Sequence, residues 1–88
     1  MVWVLKAHPS FEKDLKKLSK ADRERLAKLI FKIKEDPERF KPLKGFHGVF
    51  RVRFSGFRLV YALKGEIIWL VIVDKRKYVY KEMLKRIK

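Results

Sequence analysis

The amino-acid sequence predicts an α+β fold with the element order β-α-α-β-β-β-α. Three observations carry this. Residues 49–61, V-F-R-V-R-F-S-G-F-R-L-V-Y, alternate apolar and polar side chains about Ser55-Gly56, as a β-hairpin closed by a two-residue turn does. Residues 67–73, I-I-W-L-V-I-V, are apolar without interruption, as in a central strand covered on both faces. Apolar residues recur at helical spacing in two segments before the hairpin and in one after this strand.

Taken in order, residues 2–7 form a short apolar run that reads as a strand, ended by His8-Pro9-Ser10. Pro9 suits the first position of a helix, where its missing N–H is not needed. Phe11, Leu15 and Leu18 then lie at i, i+4 and i+7, on one face of that helix. Ser19 to Asp22 is S-x-x-D, the capping-box pattern, and opens a second helix. Leu26, Leu29, Ile30 and Ile33 have the spacing of its buried face, and Asp36-Pro37 stops it. The two helices read as a hairpin with Lys and Arg outside. Residues 37–48, with two prolines and two glycines, read as a loop. The β-hairpin follows, then a turn at Lys64-Gly65, then the apolar strand. Asp74 to Lys77 interrupts it, and a last helix from about Tyr78 uses Val79, Met83, Leu84 and Ile87.

A symmetric turn at Ser55-Gly56 places Phe54 opposite Phe57, Val52 opposite Leu59 and Phe50 opposite Tyr61, all on one face. The other face then carries Arg53 directly opposite Arg58, with Arg51 next along the strand. Like charges facing across a ladder are unfavourable by about 0.2–1 kcal/mol. No carboxylate is close in sequence: Arg39 to Lys64 contains seven Lys and Arg and no acid. Two guanidiniums without a carboxylate make an anion site, since each can fork two hydrogen bonds onto a phosphate. The plainer account is a solvated sheet face. The aromatics of the hairpin fall on the opposite side and read as core, as do Trp3 and Trp69.

Composition narrows the function classes. The chain has 88 residues, one domain's worth, and carries 24 Lys and Arg against 10 Asp and Glu, a net charge of +14. Such a domain meets nucleic acid, an anionic surface or an acidic protein. There is no cysteine, which excludes disulfides and thiolate metal sites. The first eight residues carry no basic leader and no run is long enough to span a membrane, so the cytoplasm is expected. Asn, Gln and Thr are absent while Lys, Glu and Ile abound, a composition that suits a thermophile. His47 sits in the loop as a lone histidine, His8 as a helix-start residue, and Asp74 ends the apolar strand as a salt-bridge candidate. Tyr80 either is buried in the last helix or aims its hydroxyl at the arginine face; spacing does not decide.

The run L-K-G-F-H-G-V-F-R-V-R-F-S-G-F-R-L-V-Y, the apolar strand, D-K-R and V-Y-K-E-M-L-K-R-I-K together resemble the RelE branch of the RelE/ParE toxin superfamily. The resemblance covers almost the whole chain, including H-P-S-F-E-K-D-L-K-K-L. Its most specific part is the R-x-R-x-x-G-[FY]-R-L-V-Y hairpin. It implies one domain over residues 1–88, a small, mainly antiparallel sheet with an N-terminal helical hairpin and a C-terminal helix. It also implies an activity: entry into the ribosomal A site and cleavage of messenger RNA there, without metal or other cofactor. The ribose 2′-hydroxyl attacks the adjacent phosphate and the 5′-oxygen leaves.

Carried over by position, the family's catalytic residues fall on Arg58, Arg76 and Tyr80. Arg51 and Arg53 fall on its phosphate-contacting strand positions, and Lys44, Lys75 and Lys77 join them as further RNA contacts. The best-known pattern has lysines where this chain has Arg51 and Arg53, and arginine, with a pKa above about 12, is a poor proton acceptor. The segment from Arg76 to Tyr80 is also two residues shorter, so Lys75 and Lys77 stand as alternatives for the role of Arg76. The implied partners are a RelB-like antitoxin in a hetero-oligomer, the ribosome and messenger RNA. Two other readings compete: a ParE-like toxin of DNA gyrase, and a non-catalytic basic nucleic-acid-binding protein.

Overall fold

The computed structural model describes residues 3–87 (for Arg76, its backbone). The elements are β1 (Val4–Ala7), α1 (Phe11–Lys16), α2 (Lys20–Glu35), β2 (Lys41–Pro42), β3 (Val49–Phe54), β4 (Phe57–Lys64), β5 (Ile67–Lys75) and α3 (Arg76–Ile87). The strands form one sheet in the order β1-β5-β4-β3-β2, antiparallel except for the parallel β1–β5 pair. The fold is thus the expected α+β arrangement with one added strand. β2 lies within the segment read as a loop, and pairs Lys41 with Arg51 and Pro42 with Phe50. A proline is tolerated there because β2 is the sheet edge and needs no donor on its outer side.

The hairpin register is the one the alternation predicts: Phe54 opposite Phe57, Arg53 opposite Arg58, Val52 opposite Leu59, Phe50 opposite Tyr61. Ser55 and Gly56 both have positive φ, at 45° and 79°, as a type I′ turn requires. The next turn is Gly65-Glu66, one residue later than expected, with Gly65 at φ 61° in the first central position. Ser19 caps α2 as its motif predicts, its hydroxyl accepting from the Asp22 N–H at 3.1 Å. Pro9 does not open α1; Ser10 is the cap residue and its N–H is donated to His8 Nδ1 at 3.1 Å.

Helices cover both faces of the sheet. On one, Phe11, Leu18, Leu26 and Ile33 pack with Leu59, Tyr61, Ile68, Leu70 and Val73. On the other, Val79 and Met83 of α3 pack with Val49, Val60, Val71 and Ile72. This double cover is why β5 is apolar throughout. A bulge shifts the β4–β5 register, so that Val60 faces Ile72 but Tyr61 faces Leu70. The extra residue, Val71, joins Ile72 in the α3 cluster. Trp69 is half-buried rather than core, with Lys6 Nζ 5.7 Å above its ring. The last helix begins at Arg76, two residues before the expected start, and Asp74 and Lys75 extend β5 rather than interrupting it. Leu84 and Ile87 are exposed; Arg86 takes the inward position instead.

That inward arginine closes an open edge. β1 pairs with β5 only as far as Leu70, which leaves the following backbone groups of β5 without a strand partner on that side. Asp14 accepts the Val73 N–H at 3.2 Å, and Arg86 donates to the Val71 carbonyl at 3.0 Å. Arg86 also grips Asp14 with two hydrogen bonds, of 2.6 and 3.0 Å. Residues 72 positions apart thus satisfy each other and the sheet edge together.

Candidate active site

The site forms where α3 starts to cross the arginine face of the sheet. Val79 and Met83, at i and i+4, turn the helix's apolar stripe onto β4 and β5. Tyr80 follows Val79 by about 100° of helical rotation, so it leaves the stripe on the flank of the helix. Arg51 pairs with Val60 and Arg58 with Arg53, which makes Arg51 and Arg58 diagonal neighbours beneath that flank.

The two arginines converge on one oxygen. Arg51 Nη1 donates to the Tyr80 hydroxyl at 3.0 Å and Arg58 Nη1 donates to it at 2.9 Å. Arg58 is 4% exposed, and its guanidinium carbon lies 5.9 Å from the centre of the Tyr80 ring. Of the three hairpin arginines, Arg51 and Arg58 thus share one acceptor, while Arg53, the one directly opposite Arg58, stays exposed. With both lone pairs engaged, the phenol must point its own proton elsewhere. Partial burial of Tyr80 works against ionisation, but the two hydrogen bonds and the two charges outweigh it, and the phenol sits below its ordinary value. The arrangement combines a phenol shifted toward ionisation with two guanidiniums, groups that stay protonated in proteins. It suits accepting a proton beside a bound phosphate.

The remaining predicted residues are placed as follows. Arg53 is exposed on the same face, between a groove of about 420 Å³ that reaches Arg58 and one of about 270 Å³ that reaches Arg51. Arg76 opens α3, one helical turn before Tyr80. Lys77 is exposed in that turn, with its Nζ 5.8 Å over the Tyr78 ring. Lys75 pairs with Phe57, which puts it on the α1–α2 side of the sheet, away from the arginines. Lys44 is exposed in the loop before β3. The structure thus brings Arg51, Arg58 and Tyr80 together, with Arg53 exposed on the same face and Lys77 one turn before Tyr80 on α3, while Lys44 lies in the loop and Lys75 on the opposite face of the sheet. Asp74 faces Arg58 in the β4–β5 register, and its carboxylate accepts the Lys75 N–H at 2.8 Å. Among the described residues no cluster of His, Cys, Asp and Glu is suited to a metal ion, and no helix is long and apolar enough to cross a membrane. The sequence pattern did not reveal Asp14 and Arg86; nothing in their local sequence marks a pair that meets only in the folded chain.

Comparison with known proteins agrees with this architecture. A family model described as the ParE toxin of the type II toxin-antitoxin system parDE matches residues 5–80. A mutant of the E. coli toxin RelE in the free state is 30% identical over the full length of both chains, with a TM-score of 0.86. A chain of the intact E. coli RelBE toxin-antitoxin complex is 27% identical, with the match covering 83% of this chain and 95% of that one, at a TM-score of 0.77. A chain of the RelB-RelE complex from Methanococcus jannaschii is 28% identical, covering 89% and 96%, with a TM-score of 0.73. No curated protein sequence matches. The chain belongs to the RelE/ParE superfamily and is a type II toxin-antitoxin toxin, RelE-like in structure.

Proposed function

We propose that this toxin is a ribosome-dependent endoribonuclease that cuts messenger RNA in the A site. The observation that carries the proposal is the Tyr80 hydroxyl held between Arg51 and Arg58. RNA cleavage through its own 2′-oxygen needs a base for that hydroxyl, positive charge on the pentacoordinate phosphate, and a proton for the leaving oxygen. Tyr80, as phenolate, takes the 2′-proton. The 2′-oxygen bonds to phosphorus and the P–O5′ bond breaks, leaving a 2′,3′-cyclic phosphate and a 5′-hydroxyl. Arg51 and Arg53 orient the phosphate, and Arg58 and Arg76 stabilise its added charge. A weak general-acid role falls to Arg76, and no metal or cofactor takes part. Alignment on the ribosome supplies much of the rate.

Such a toxin works in the cytoplasm, restrained by a RelB-like antitoxin in a hetero-oligomer. The toxin–antitoxin complexes among its structural neighbours support that partner. The family description favours one other reading, a ParE-like toxin acting on DNA gyrase. A purified translation system separates the two. Messenger RNA ends are mapped with and without ribosomes, for the wild type and an Arg58→Ala, Arg76→Ala double variant. Cuts within codons that require ribosomes and vanish in the variant are expected. Absence of cleavage, with loss of gyrase activity instead, overturns the proposal.

A further inference from the structure

Nothing in the site itself explains how α3 holds its place. The helix has 12 residues, and isolated helices of that length are marginal in water. Val79 and Met83 are buried, while Tyr78, Leu84 and Ile87 are 55, 46 and 39% exposed. Aliphatic contacts of this kind tolerate a small slide or rotation, since they have no directional requirement. The Arg86 guanidinium does not. Its two donors meet both oxygens of Asp14, and one of them also reaches the Val71 carbonyl. The pair is deeply buried, with 9% of the Arg86 side chain and 3% of the Asp14 side chain exposed. The Arg86 Nε is buried without a hydrogen bond, 3.8 Å from Glu82, so the group is committed through its other nitrogens. A buried ion pair is a weak source of stability compared with apolar packing. What a two-pronged pair supplies is a single geometry.

We propose that Asp14 and Arg86 form a latch that sets the axial position of α3 and thereby holds the Tyr80 hydroxyl between Arg51 and Arg58. Both are positioning residues for the cleavage reaction, and in this respect the inference rests on that reading. Tyr80 and Arg86 are six positions apart on the helix, about 9 Å along its axis, so a slip at the latch is carried rigidly to the phenol. The anchor at the far end is α1 and the edge of β5, which belong to the body of the fold.

Titration of Tyr80 reports its position without any ribosome. The phenol accepts from Arg51 of β3 and Arg58 of β4; Asp74 of β5 is the register partner of Arg58, and Lys77 stands one turn before Tyr80 on α3. Tyr61 is buried and titrates far higher, and a Tyr78→Phe background removes the exposed tyrosine. In that background the tyrosinate absorbance is followed for the parent, Arg86→Lys and Arg86→Met, with near-ultraviolet circular dichroism as the folding control. Both variants are expected to move the Tyr80 transition up toward about 10, the ordinary tyrosine value. Ribosome-dependent cleavage is expected to fall about 100-fold while ribosome affinity is retained. If Arg86→Met fails to fold, Arg86→Lys, which keeps the charge but not the fork, decides alone. A folded variant whose Tyr80 titrates as in the parent overturns the latch. A shifted titration in a protein that never cleaves RNA upholds the latch and overturns the nuclease reading instead.

Discussion

Two tyrosines with opposite surroundings show how single residues divide the labour. Tyr80 accepts from two guanidiniums and is pulled toward ionisation. Below its folded pKa the phenolate fraction rises tenfold per pH unit, so the cleavage rate is expected to climb with pH across the neutral range. Tyr80→Phe should flatten that profile and slow cleavage by about 10²–10⁴-fold. A pH–rate profile on programmed ribosomes checks both. Tyr61 is fully buried and donates to the Pro37 carbonyl at 2.6 Å; burial first, and the nearby Asp36 charge second, push its phenol far up. The unfolded chain ionises a tyrosine near pH ~10. The stabilisation from keeping Tyr61 protonated is therefore whole below that pH and is lost as pH rises beyond it. Tyr61→Phe is expected to lose about 1–3 kcal/mol at neutral pH, because the Pro37 carbonyl is stranded. The gap from the parent should narrow in alkali, as read by urea melts at both pH values.

At the scale of elements, strand alternation and turn chemistry act together. The alternation of β3 and β4 sets which side chains share a face, and the positive φ of Ser55 and Gly56 sets which residues pair. Arg25 of α2 donates to the Ser55 hydroxyl at 3.0 Å, tying the hairpin tip to the helical layer. Gly48 performs a second task at the base of β3. It has φ 72°, and its carbonyl accepts the Leu63 N–H at 2.8 Å. A Cβ at this position would sit 3.1 Å from the Leu63 carbonyl oxygen. Gly48→Ala is expected to destabilise the fold by roughly 1–2 kcal/mol from the left-handed backbone alone. Equilibrium denaturation measures it, and an unchanged midpoint would show that the loop rearranges freely.

Across the whole molecule, charge and topology point the same way. With a net charge of +14 on 88 residues, the RNA association that the proposed function requires is expected to be strongly salt-dependent. Arg53→Ala removes an exposed guanidinium from between the two grooves. It is expected to lower the salt slope of single-stranded RNA binding by about 0.7, the share of one phosphate that is no longer neutralised. Filter binding over a range of salt concentrations reads this directly, and an unchanged slope would place Arg53 outside the RNA path. The fold turns a small sheet into a two-sided scaffold. The α1–α2 layer buries the aromatic face of the hairpin, which frees the opposite face to carry arginines and α3.

The sequence alone determined the hairpin, its register and therefore the arginine face, because strand alternation and a Ser-Gly turn are local properties. It also determined the cap of α2 and the double burial of β5. It misplaced the start of α3 and its inward face, since a helix so short in apolar residues takes its orientation from what it docks against. Leu84 and Ile87 have the spacing of a core stripe, yet Arg86 turns inward because a buried carboxylate and an unpaired sheet edge await it. β2 was likewise invisible, because two residues gain strand character only from the neighbour they pair with. Only the tertiary structure decided where the Tyr80 hydroxyl points. Its partners lie 22 and 29 residues away on other elements, and no periodicity within α3 carries their position.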